Sequence, residues 1–98
     1  MANVHFIGIG GSGLSAIARL MIENGDTVTG SDRELSPFAA EVQKAGATVF
    51  IGHHPRHVIG ADWVVRSSAI SDDNPEVVAA LAANIPASDA ASVRCSKP

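Results

Sequence analysis

A doubly wound α/β fold, with about five parallel strands in a single domain, is the architecture this sequence predicts. Three observations predict it. Short apolar runs alternate with stretches of helical period, the connections between them are short, and a glycine-rich turn joins the first run to the first helix. Alternation of this kind means parallel strands joined by right-handed crossovers. The expected strand order is 3-2-1-4-5.

The first strand is read over Asn3 to Ile9, an apolar run too short for a free-standing helix. Gly8, Gly10 and Gly13 then follow the G-x-G-x-x-G spacing. Such glycines allow a tight turn, let backbone approach a phosphate, and let helix and strand pack closely. Leu14, Ile17, Ala18 and Met21 recur at i, i+3, i+4, i+7, which is one helical face. Asn24-Gly25 stops that helix, and Thr27 to Gly30, rich in β-branched residues, is the second strand.

Ser36-Pro37 is an N-cap followed by proline at the first helical position. Phe38, Val42 and Ala45 are expected on the inner face of the second helix, which Gly46 ends. Ala47 to Ile51 is the third strand, Val58 to Ala61 a short turn or helix, and Trp63 to Arg66 the fourth strand. Asn74-Pro75 repeats the cap signal, with Val77, Val78 and Leu81 striping the next helix. Ile85 to Ala87 reads as a short fifth strand. The domain is thus expected over residues 1–87, with a frayed tail over 88–98.

Composition narrows the function classes. The chain is 46% hydrophobic and 17% charged, with a formal net charge of −3. It has neither a basic run nor an aromatic ladder, which argues against nucleic acid as a partner. The single cysteine, Cys95, excludes an internal disulfide. No apolar run approaches the length of a membrane span and no charged-then-apolar leader opens the chain, so a soluble cytoplasmic domain without a membrane partner is expected.

In doubly wound sheets ligands bind beyond the carboxyl ends of the strands, near the switch point beside strand one. That geometry gathers the loops Gly8–Ser15, Ser31–Arg33, Gly52–His54 and Ser67–Ile70. The helix behind the glycine turn aims its amides and positive dipole end at the loop, where an anion belongs. Asp32, roughly twenty residues beyond the glycines, is either a ribose-binding acid or a solvated turn residue. Arg33 reads as exposed. Adjacent histidines point apart, so His53-His54 is not read as a metal site, and His53 is expected to donate a hydrogen bond to a ligand. His5 reads as structural. Ser67-Ser68 lacks the elbow and the base of a hydrolase nucleophile, so its hydroxyls and turn amides are expected to face a ligand. Asp72-Asp73 fits the charge preference of a helix start.

With these loops in hand, the chain resembles the N-terminal domain of the Mur ligases of bacterial peptidoglycan synthesis. The residues that carry the resemblance are HFIGIGGSGLS at His5–Ser15, VTGSD at Val28–Asp32, Gly52-His53, Ser67-Ser68-Ala69-Ile70 and Asp73-Asn74-Pro75-Glu76. It covers residues 3–86 in order. The resemblance implies that this domain binds the UDP part of UDP-N-acetylmuramic acid. Gly8 and the run Gly10, Gly11, Ser12, Gly13, Leu14 and Ser15 would cradle the diphosphate. Ser31, Asp32, His53, Ser67, Ser68, Ala69 and Ile70 would surround the uridine and ribose.

The resemblance also implies a central domain that binds ATP and magnesium through a phosphate loop, and a third, C-terminal domain. Together these activate a carboxylate as an acyl phosphate for attack by an amino acid. This chain contains no G-x-x-x-x-G-K-[ST], and its only lysines are Lys44 and Lys97. No cofactor is therefore expected in this domain, and no ligation by it alone. After Ile85-Pro86 the chain also departs from the family's usual apolar continuation. Two other classes share some of these features. An NAD-binding dehydrogenase half or a nucleotide-sensing regulatory module shares the glycine loop and Asp32, and a purely structural domain would use the glycines as a bare turn.

Overall fold

The computed structural model describes residues 2–89. Its strands are β1 (Asn3–Ile7), β2 (Thr27–Asp32), β3 (Thr48–Ile51), β4 (Trp63–Arg66) and β5 (Ala87–Asp89). They form one parallel sheet in the order β3-β2-β1-β4-β5, the expected doubly wound topology. The helices are α1 (Ser12–Glu23), α2 (Pro37–Ala45) and α3 (Pro75–Ala82), with a 3-10 turn at Pro55–Val58 between β3 and β4.

Two apolar layers hold the sheet. On one face Val4, Phe6, Val28 and Val65 pack against α1 through Leu14, Ile17, Ala18 and Met21, and against α2 through Ala39 and Val42. On the other face Ile7 and Val64 meet Val58 of the 3-10 turn and Val77 and Ala80 of α3. β1 is buried from Val4 to Ile7 on both sides, as a central parallel strand must be.

Several boundaries differ from the expectation, each for a local reason. β1 ends at Ile7 because Gly8, at φ +84°, turns the chain there. The amides of Gly8 and Ile9 both donate to the Ser31 carbonyl, at 2.8 and 3.1 Å. Ile9 is buried over Gly30, where a side chain would collide with it. β2 runs two residues past Gly30, because Ser31 and Asp32 pair in register with Phe50 and Ile51 of β3. The helical turn between β3 and β4 begins earlier than expected, since His54 caps it by accepting from the Arg56 amide and Pro55 takes the first position. The expected strand at Ile85–Ala87 shifts to Ala87–Asp89. Ile85 is used to close α3, its amide donating to the Ala80 carbonyl at 2.8 Å. Ser88 and Asp89 therefore belong to the sheet, and the rest of the expected tail lies outside the described residues.

Two helix faces also differ. In α2 the buried residues are Ala39 and Val42, while Phe38 and Ala45 are exposed. In α3 they are Glu76, Val77 and Ala80, and Val78 and Leu81 face outward. That helix is apolar nearly all round, so periodicity does not single out its inner face.

Candidate functional site

At the carboxyl end of the sheet a cleft of about 440 Å³ opens beside β1. All four expected loops reach it: the glycine turn, the end of β2, the segment after β3, and the segment after β4. The turn is braced from both sides. Gly8 faces Ser67 and Ile70, where an added Cβ would lie 3.1 Å from the Ser67 Cβ, and the Ser67 amide donates to the Ile7 carbonyl at 3.0 Å. Gly10 sits so close to Asp32 and Ser36 that an added Cβ would lie 2.6 Å from the Asp32 carboxylate. Behind the turn, α1 starts at a glycine N-cap with no side chain capping it. Its first-turn amides have no acceptor within the helix and point toward the loop, together with the positive end of the dipole.

Asp32 takes a definite part. Its Oδ2 accepts from the Gly10 amide at 2.8 Å and its Oδ1 from the Arg33 amide at 2.7 Å. The carboxylate thus clamps the glycine turn to the end of β2. Gly8, Gly10, Gly11, Asp32, His53, Ser67, Ala69 and Ile70 line the cleft as expected. Leu14 and Ser15 are buried, Leu14 packs in the core and the Ser15 amide donates to the Gly11 carbonyl at 2.9 Å, so near the loop Leu14 offers its amide and neither offers an exposed side chain. Ser68 is exposed beside the cleft rather than in its lining. Ser12 starts α1, with its side chain outside the described set. Gly13 follows it in the first turn.

Beneath the cleft lies a feature the sequence reading did not find. Glu76, from the first turn of α3, is fully buried at the sheet and is met by five donors. Its Oε1 accepts from His5 Nε2 at 2.5 Å and from Ser31 Oγ at 2.8 Å. Its Oε2 meets His57 Nδ1 at 2.9 Å, the His54 amide at 3.1 Å and His53 Nδ1 at 3.2 Å. Burial pushes the Glu76 carboxyl up, but hydrogen bonds from His5, His57 and Ser31, with the His5 charge, hold it down at about 2. His5 is anchored further by Thr29 Oγ1 at 2.7 Å, and His57 stacks on Phe50 at 4.3 Å between ring centroids.

This cluster changes two expectations. The Ser31 hydroxyl faces inward to Glu76 and His53, so its link to the cleft runs through them. His53 turns Nδ1 inward while the ring, 17% exposed, lines the cleft. One sequence signal for the cluster existed: a histidine at the centre of a core strand needs a polar partner. Nothing local identified that partner as Glu76, because an acidic residue just after a helix cap is already explained by the dipole.

Among the described residues no group of three His, Cys, Asp or Glu side chains is placed to hold a metal ion. No helix is long and apolar enough to cross a membrane. A larger hollow of about 770 Å³ lies over the β2–β3 side of the other sheet face, along Thr29, Phe50 and His57. Its lining shares Gly52, His53 and His54 of the segment after β3, but includes neither the glycine turn after β1 nor the start of α1.

Comparison with known proteins adds relatives to this geometry. The profile described as "Mur ligase family, catalytic domain" matches residues 3–93. A UDP-N-acetylmuramate–L-alanine ligase of Persephonella marina is 49% identical over 84 residues, covering 86% of this chain and 18% of that protein. The ligase of the same name from Ralstonia pickettii is 51% identical over 84 residues, 86% of this chain and 17% of its own length. Among solved structures, the UDP-N-acetylmuramate-alanine ligase MurC of Thermotoga maritima superposes with a TM-score of 0.91 at 34% identity, over 96% of this chain and 22% of that one. The chain therefore spans less than a fifth of the length of the two sequence relatives.

Proposed function

Because the chain belongs to the Mur ligase family, we propose that it is the N-terminal domain of a UDP-N-acetylmuramate–L-alanine ligase and binds UDP-N-acetylmuramic acid. One observation carries the reading: the loops after β1, β2, β3 and β4 converge on one cleft at the N-terminus of α1. In this reading the diphosphate rests against the glycine turn of Gly8, Gly10 and Gly11 and the amides at the start of α1, those of Ser12, Gly13 and Leu14, while the Ser15 amide closes the first helical turn on the Gly11 carbonyl. Asp32, His53 and the Ser67–Ile70 loop stand around the nucleoside, with Ser31 supporting His53 from below.

The remaining steps belong to the parent ligase. Its central domain supplies ATP and magnesium, an acyl phosphate forms on the substrate carboxylate, and the amine of L-alanine attacks it. This chain has no phosphate loop with a lysine, so it binds one substrate and performs no ligation.

Thermal-shift and titration measurements with UDP-N-acetylmuramic acid, UDP, NAD and ATP at equal concentration test the proposal. UDP-N-acetylmuramic acid should raise the melting temperature most and NAD should leave it unchanged, since stabilisation follows ligand saturation. A larger shift with NAD than with either UDP ligand overturns it.

A further inference from the structure

We infer that Glu76 is a positioning residue for the cleft: it holds His53 in the Nδ1–H form, so that Nε2 offers a lone pair to a donor on the nucleoside end of the ligand. The inference rests on the nucleotide-binding reading given above.

Proton counting carries the argument. His53 Nδ1 faces two oxygens, Ser31 Oγ at 3.1 Å and Glu76 Oε2 at 3.2 Å. The serine has one hydroxyl proton, and it is given to Glu76 Oε1 at 2.8 Å. The carboxyl is held ionised, so it too can only accept. Two acceptors flank Nδ1, which must therefore carry the proton. In a neutral imidazole the proton on Nδ1 leaves Nε2 as the acceptor.

The His53 ring borders both the cleft and the larger hollow, and Nε2 is the polar atom it has left to offer a ligand in the cleft. Phosphate oxygens are acceptors only, and two facing acceptors repel. The partner that fits is a donor, such as a ribose hydroxyl or the imide N–H of a pyrimidine. On this inference His53 accepts from the ligand, where the sequence alone led to the expectation that it donates. The same carboxylate holds the backbone of the segment through the His54 amide at 3.1 Å, so the position of the ring and its tautomer have one origin.

The test is imidazole ¹⁵N spectroscopy on the whole chain, where a protonated and an unprotonated ring nitrogen give distinct shifts. In the wild type without ligand, His53 should show a protonated Nδ1 and a bare Nε2. UDP should move the Nε2 resonance while it stays unprotonated, and pyrophosphate alone should not move it. In Glu76→Gln the Nδ1–H form should lose its dominance. UDP affinity should then fall about tenfold, while pyrophosphate affinity stays within about twofold.

A wild-type His53 with its proton on Nε2 overturns the inference without recourse to any variant. So does an Nε2 that becomes protonated on binding pyrophosphate. Ligand-induced shifts in the glycine-turn amides with His53 unmoved overturn this inference and leave the binding reading standing. No shift anywhere with UDP or UDP-N-acetylmuramic acid overturns the binding reading, and with it the ligand half of this one.

Discussion

Two residues show how narrowly the parts of this domain are matched. Gly30 lies under Ile9, and a Cβ built on it would come within 2.7 Å of the Ile9 Cβ. Ile9 is fully buried and has nowhere to move, so overpacking there is costly. Gly30→Ala should destabilise the domain by about 1–3 kcal/mol, read by urea denaturation. No change in the midpoint would mean that Ile9 is freer than its burial indicates. Glu76 makes the acid limb of stability predictable. Its carboxyl lies near 4.5 when unfolded and about 2 when folded, so the folded state binds fewer protons between those values. The contribution is complete above about pH 4.5 and is lost as pH falls toward 2, on the order of 3 kcal/mol. Denaturation of wild type and Glu76→Gln at pH 7, 5 and 3 checks it. The variant should be weaker at pH 7 and lose less than the wild type on acidification. Parallel loss in both would assign the acid limb to another carboxyl.

At the level of elements, the helix starts at Ser36-Pro37 and Asn74-Pro75 and the inner face of α1 were plainly written, whereas the inner faces of α2 and α3 were legible only in part. Ser36-Pro37 and Asn74-Pro75 cap α2 and α3 as their sequences predict, with Ser36 accepting from the Ala39 amide and Asn74 from the Glu76 amide. Which side of α3 turns inward was decided by its neighbours. Glu76, Val77 and Ala80 face the sheet because Glu76 is drawn to His5 and its companions and Val77 packs with Ile7, Val58 and Val64. Adjacent valines should therefore respond differently. Val77→Ala removes buried methyl groups and should cost about 2 kcal/mol, whereas Val78→Ala should stay within about 0.5 kcal/mol of wild type. Equal costs in the two variants would contradict the orientation of the helix.

For the molecule as a whole, the sheet needs all five strands, including the edge strand that the sequence placed too early. β5 pairs with β4 from Ala87 to Asp89, and Ser88 Oγ accepts from the Trp63 indole at 3.1 Å. A chain cut after residue 86 loses these bonds and bares the edge of β4. It should melt several degrees below one cut after residue 89, since in a domain of this size 1 kcal/mol moves Tm by about 4–8 °C. Coincident melting curves would remove β5 from the structural unit. The same global arrangement makes the cleft, because a parallel sheet puts every strand-to-helix loop at one end.

What the sequence determined by itself was everything carried by local pattern. The apolar runs, the glycine turn, the cap-and-proline pairs and the alternation of strand with helix led to the sheet order and to the loops of the cleft. Each depends on residues a few positions apart, or on a topology rule that leaves few alternatives. What only the tertiary structure decided was how polar groups are shared between distant segments. Asp32 reads alone as a ribose acid or a turn residue, and it became a clamp once the glycine turn came within 2.8 Å of it. Glu76 and His5 lie 71 positions apart, yet they meet at 2.5 Å in the interior. A buried carboxylate must be satisfied by whichever donors the fold brings to it, and neither their identity nor their number is written in its own neighbourhood.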